Sequence, residues 1–321
     1  IASCLVGSEM CIRDRNGLCP PDLTRFAAHG RRLVPALRPS LSLENAFVMN
    51  PNLMPMPDGS TSIYAVLGDP VAQVRAPALM NAWFAAHGVP AVMVALHTPA
   101  GRFSPIFQAL RDIQNVKGLL VTVPHKFEAA ACADHRSAAV DLIGTANALR
   151  RESDGSWTAD NFDGAGFVDG LIKQGHNPEG MNVMLTGAGG AGCAIALALL
   201  HARVATLVIL DEDAAKSGAL LAKLDSRAPG IAVAGRTDGS MEWDRFDLAI
   251  NATPAGMRPG DPLPFRPEAL GRQTVVADII MKPHETDLLR RAKLLGLQVH
   301  HGIHMLDCQI ESYIRFFREP A

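Results

Sequence analysis

The run Gly187-Ala188-Gly189-Gly190-Ala191-Gly192 satisfies the pattern G-x-G-x-x-G. Alone, such a run is weak evidence, because glycine-rich turns are common. Here it follows an apolar, strand-like stretch from Asn182 to Thr186 and opens a helix-like stretch from Gly190 to Ala202. A second strand-like stretch, Ala205 to Leu210, then ends at Asp211. That context predicts the strand–turn–helix–strand unit of a doubly wound parallel sheet with a dinucleotide at its turn. Gly187 permits the tight turn, Gly189 lets the backbone approach a pyrophosphate, and Gly192 lets helix and strand pack closely. The helix start adds unpaired N–H groups and partial positive charge for the phosphates.

The rest of the chain alternates in the same way. Strands are predicted at 63–67, 91–96, 118–123, 146–149, 157–158, 248–251 and 274–278, and helices at 77–87, 103–113, 163–174 and 305–317. Strands alternating with helices imply α/β architecture with mostly parallel sheets. At 321 residues and 48% hydrophobic content the chain is long enough for two cores. A net charge of −2 gives no broad attraction to nucleic acid or anionic membrane, so a small molecule is the expected partner. The most apolar stretch, Met184 to Leu200, is glycine-rich and reads as a buried strand and helix rather than a membrane span. The six cysteines lack C-x-x-C spacing, which supports neither a disulfide framework nor a metal site and fits a cytoplasmic protein. Residues 1–60 are expected to be a non-native or disordered leader. Ser8 to Arg15 resembles translated adapter sequence, 16–60 lacks periodicity, and Met49 or Met54 suits a native start.

Two further segments carry chemistry. Val121-Thr122-Val123-Pro124-His125-Lys126 delivers a lysine to the carboxyl end of a strand, where open α/β sheets place ligands. Asp160-Asn161-Phe162-Asp163-Gly164 supplies a carboxylate just before the helix leading to the glycine-rich unit. A Lys126–Asp163 pair beside a dinucleotide site suits proton transfer coupled to hydride transfer.

These segments, with Gly68 to Gln73, Ala146 to Leu149, Ile250 to Met257 and Gly302 to Gln309, occur in the order and spacing of the shikimate/quinate dehydrogenase family, which the chain resembles from residue 62 to about 318. The resemblance implies an N-terminal, mostly parallel α/β substrate domain at 61–164, rejoined by a closing helix at 303–321. A C-terminal Rossmann dinucleotide-binding domain would occupy 165–302. It further implies Lys126 and Asp163 as catalytic residues, and Asn147, Thr122 and Gln309 as hydrogen-bonding partners of ring hydroxyls. Gly187 to Gly192, Asp211, Asn251, Thr253 and Gly302 would serve the cofactor, with no metal. The implied activity is oxidation or reduction of a hydroxylated cyclic carboxylic acid by a monomer or homodimer.

The departures from the family pattern concentrate in substrate recognition. Val74 and Ala76 stand where members acting on shikimate carry a serine pair for the carboxylate, leaving Arg75 as a candidate anchor. Leu120 replaces an asparagine, Phe162 a threonine and Met281 a tyrosine. At the cofactor, Leu210-Asp211-Glu212-Asp213 lacks the basic stretch common in NADP users, and the Asp211 carboxylate would repel a 2′-phosphate. NAD is therefore the expected cofactor, with NADP as the alternative. Two other readings are a weakly catalytic metabolite sensor and a methylene-tetrahydrofolate dehydrogenase-like enzyme. Retention of the Lys126–Asp163 pair opposes the first, and the Asp163 turn with the Gly302–Gln309 motif opposes the second.

Overall fold

A computed structural model describes residues 56–235 and 242–318. The leader expected over 1–60 lies, apart from 56–60, outside the described residues. The first half of the fold contains β1 (Ser62–Gly68), α1 (Ala76–Ala86), β2 (Ala91–His97), α2 (Phe103–Arg111) and β3 (Val116–Val121). It continues through α3 (Lys126–Cys132), β4 (His135–Arg136), α4 (Ala138–Ile143), β5 (Ala148–Arg151) and β6 (Trp157–Asp160). Its sheet runs β2-β1-β3-β5-β6-β4, with β1 parallel to both neighbours and β5 antiparallel to β3 and β6.

Helix α5 (Asp163–Lys173) leads into β7 (Asn182–Thr186), α6 (Gly190–His201), β8 (Thr206–Leu210), α7 (Ala214–Asp225) and β9 (Ala232–Ala234). Then come β10 (Leu248–Asn251), β11 (Val275–Asp278), α8 (Asp287–Leu294) and β12 (Gln298–His301). This second sheet is ordered β12-β11-β10-β7-β8-β9 and its pairings are parallel. The order reverses between β7 and β10, which opens a crevice at their carboxyl ends. Helix α9 (Ile303–Arg318) closes the chain.

Alternate residues of each central strand feed different cores, as the period of a strand requires. In β7 and β8, Val183, Leu185, Leu207 and Ile209 face α5 and α6, while Met184, Val208 and Leu210 pack with Phe246, Phe265 and Leu288 on the opposite face. In β1, Ala65 and Leu67 join Phe103, Phe107 and Trp157, whereas Val66 turns toward Met80 and Phe84. Leu306 and Tyr313 of α9 belong to this last core, so the closing helix covers the first sheet. Burial on both faces explains why these strands read as nearly continuous apolar runs.

The strand expected at 118–123 ends at Val121. Pro124 has no N–H to extend a ladder, and the His125 N–H instead closes a turn on the Thr122 carbonyl at 3.0 Å. This turn makes Lys126 the first residue of α3. His125 is fully buried, with Nε2 2.7 Å from the Thr98 carbonyl, and is a packing residue.

His300, on β12, is 1% exposed and neither ring nitrogen has a partner among the described residues. Burial, reinforced by His304, His176 and His301, pushes its pKa down to about 3. The unfolded chain therefore binds a proton here below pH about 6.5 that the folded chain refuses, and stability falls as pH drops through that window. Between pH 6.5 and 5 the loss is on the order of 2 kcal/mol from this group. Denaturant unfolding at pH 7 and pH 5 should show a smaller drop in His300→Leu than in the parent; equal drops would exonerate His300.

Candidate functional site

The first sheet also has a switch point, because β1 has β2 on one side and β3 on the other. Residues following β1 and β3 flank the resulting crevice. Lys126 reaches it from the start of α3, and Asp163 from the first turn of α5. Their Nζ and Oδ2 atoms are 2.5 Å apart, with side chains only 12% and 5% exposed. The other carboxylate oxygen, Oδ1, accepts from Asn147 Nδ2 at 2.9 Å and from Gln309 Nε2 at 3.0 Å. Asn147 enters just before β5, and its Oδ1 accepts the N–H of Phe162 at 3.0 Å. Gln309 arrives from α9, so the closing helix completes the cluster.

Tyr313, one helical turn beyond Gln309, was not singled out by sequence reasoning. Its hydroxyl accepts from Asn147 Nδ2 at 3.0 Å and donates to Gln309 Oε1 at 2.9 Å. Burial, with the Asp163 charge adding to it, holds this phenol well above its usual pKa. The spacing of four residues from Gln309 was the available signal, since it places both side chains on one helix face.

These groups form one side of a cavity of about 140 Å³. Thr122 lines it, half-buried, and Arg75 lines it from an exposed position, without an ion-pair partner among the described residues. Val74, Ala76, Leu120, Met281 and Leu306 make the remainder apolar. Ala191 and Gly302, expected on the cofactor side, line this cavity too.

A second, larger groove of about 660 Å³ lies over the carboxyl ends of β7, β8 and β10. Gly187 has φ +106°, and a Cβ there would sit 2.9 Å from the Ala252 backbone, so the turn requires glycine. Gly189 is the N-cap of α6 and offers no side-chain cap, which leaves first-turn N–H groups available to an anion. A Cβ on Gly190 would lie 2.8 Å from that of Lys126, so the glycine loop runs directly against the lysine stem. Asp211 Oδ2 accepts the Ala188 N–H at 2.7 Å and Oδ1 the Asp213 N–H at 2.9 Å, which fixes the carboxylate in the groove. The Thr186 hydroxyl, at the groove floor, has no partner among the described residues. The cradle and its unpaired donors fit a dinucleotide.

Thr253 lines this groove, but Asn251 is fully buried beneath it. Asn251 Nδ2 donates to the Ala255 carbonyl and to Asp278 Oδ1, both at 3.1 Å, while its Oδ1 accepts from Thr253. Its side chain shapes the loop rather than facing a ligand. Burial pushes the Asp278 carboxyl up to about 6, with bonds from Ile280, Thr286 and Asn251 pulling the other way. Lys216 and Trp243 also line the groove, although sequence reasoning placed neither there.

The family model for the shikimate dehydrogenase substrate binding domain matches residues 66–149. The shikimate dehydrogenase (NADP(+)) of Rubrobacter xylanophilus is 34% identical over 254 residues, covering 79% of this chain and 89% of that protein. Among solved structures, the Aquifex aeolicus shikimate dehydrogenase superposes with a TM-score of 0.74 at 27% identity, covering 82% of this chain and 94% of that one. Quinate dehydrogenase from Corynebacterium glutamicum in complex with NAD gives 0.71 at 26% identity, covering 80% and 94%. Among the described residues, no helix is long and apolar enough to cross a membrane.

Proposed function

Because the chain belongs to the shikimate dehydrogenase family, we propose that it is an NAD(P)-dependent dehydrogenase of a shikimate- or quinate-type ring alcohol. The observation that carries this reading is the Lys126–Asp163 pair at 2.5 Å, set against the start of the glycine loop at Gly190. Gly187 to Gly192, Thr253 and Asp211 would hold a nicotinamide dinucleotide, which would supply the hydride donor or acceptor. In the oxidative direction Lys126 Nζ, as the neutral amine, takes the proton from the reacting hydroxyl and becomes the ammonium. In the reductive direction the ammonium returns that proton to the reacting carbonyl oxygen, its remaining N–H groups stabilising developing negative charge there. Asp163 orients the ammonium, and Asn147 and Gln309 hold the carboxylate in place. Thr122 adds one hydroxyl, and Arg75 at the mouth receives a substrate carboxylate in place of the family's serine pair. The apolar walls exclude water.

In this reading residues 61–164 with the closing helix bind substrate, residues 165–302 bind cofactor, and Asp211 favours NAD. Purified protein assayed with NAD and NADP against shikimate, quinate and related ring alcohols should show cofactor-dependent turnover. Cofactor binding without turnover on any of them would replace the dehydrogenase reading with that of a metabolite sensor.

A further inference from the structure

The cluster around Asp163 spends its hydrogen-bonding capacity on itself. Both N–H groups of Asn147 are committed, one to Asp163 Oδ1 and one to the Tyr313 hydroxyl. Gln309 sends one N–H to Asp163 Oδ1, lies 3.4 Å from the Phe162 carbonyl with the same nitrogen, and takes the Tyr313 proton on Oε1. The Asn147 carbonyl already accepts the Phe162 N–H. Tyr313 is the centre of this closure: it is 4% exposed, lines the cavity, and is braced edge-on by Phe162 at 5.6 Å. Among the described residues, the cavity polar groups left with free donors are Lys126, Thr122 and, at the mouth, Arg75. The lining also includes Val66, Val74, Ala76, Leu120, Met281 and Leu306, whose side chains cannot satisfy a hydroxyl.

We infer that Tyr313 withdraws Asn147 and Gln309 from substrate recognition, so that this site takes a ring acid or ring ketone carrying the reacting oxygen but few other hydroxyls. A polyhydroxylated ring would bury hydroxyls against Leu120 and Met281, where no partner repays their lost hydration. A ring bearing hydrogen or methyl at those places loses nothing. Tyr313 acts here as a positioning residue, since its phenol fixes which atoms of the two amides face the ligand. This refinement rests on the dehydrogenase reading for its chemistry and on the hydrogen-bond pattern for its selectivity.

The test compares shikimate with 3-hydroxycyclohex-1-ene-1-carboxylate, the same ring acid without the two non-reacting hydroxyls. Both kcat/KM and calorimetric binding to cofactor-saturated protein are measured. The less hydroxylated acid should be favoured by about tenfold or more in each, the usual scale for one mismatched group in an apolar pocket. Tyr313→Phe keeps the ring and its packing but frees an Asn147 N–H and Gln309 Oε1, so it should shrink that preference and improve shikimate. A wild-type preference for shikimate, or a ratio unmoved by Tyr313→Phe, overturns the inference. If the less hydroxylated acid binds better but neither acid turns over, the selectivity stands and the dehydrogenase reading falls. Brisk turnover with shikimate preferred has the opposite meaning, and binding of neither acid counts against both.

Discussion

Replacing Lys126 with alanine should lower kcat by about 10²–10⁴-fold, the range typical of a positioned acid–base group, while dinucleotide affinity stays nearly unchanged. The separation follows from geometry. The ammonium faces Asp163 and the 140 Å³ cavity, whereas the phosphate cradle is built from backbone and from residues on β7, β8 and β10. The lysine stem does pack against Gly190, so alanine also opens space beside the loop. Lys126→Met controls for that by keeping the stem and removing only the ammonium. Both variants should lose turnover alike, and the methionine variant should keep wild-type cofactor binding by fluorescence titration. Turnover near wild type in either one removes the lysine from the mechanism. A loss in alanine that methionine restores assigns it to packing.

What the sequence makes legible follows from how local the governing physics is. The glycine turn is readable because φ +106° at Gly187, and the collision that a Cβ on Gly192 would make with the Gly187 carbonyl, admit few other residues. The strands of both sheets are readable because burial on two faces demands apolar runs. The boundary near Thr122 was missed because the period of a strand continues through Val123, while the turn is made by the missing N–H of Pro124 and the His125–Thr122 bond. Elements α7 and β9 show in the sequence only as further alternation, since α7 carries weak amphipathic contrast. Tyr313 illustrates a different limit. An aromatic on an amphipathic helix reads as core, and its meeting with Asn147, 166 residues away, exists only once α9 lies across the first sheet. Asn251 shows the converse: a motif residue whose position was legible has its side chain turned inward, toward Asp278 and Thr253.

Asp211→Asn should shift cofactor preference toward NADP by roughly tenfold to a hundredfold, measured as the ratio of kcat/KM for the two cofactors. Two charges about 4 Å apart at an effective dielectric near 20 repel by on the order of 4 kcal/mol, and the open groove screens part of this. Asparagine is the informative substitution because it keeps an oxygen to accept the Ala188 or Asp213 N–H, so the glycine loop retains its support while the charge disappears. Lys216 opposes the effect. It lines the same groove, and its ammonium lies 3.8 Å from Asp213 in an exposed pair that contributes little binding of its own. A 2′-phosphate would draw it away, so Lys216→Ala should shift the cofactor ratio toward NAD, and the double variant should fall between the two singles. The curated relative from Rubrobacter xylanophilus bears the name of an NADP(+) enzyme, which makes the parent protein the decisive sample. A parent that already prefers NADP would show that Lys216 outweighs Asp211 and Glu212. Asp211 would then serve the loop through its two backbone bonds rather than selecting the cofactor.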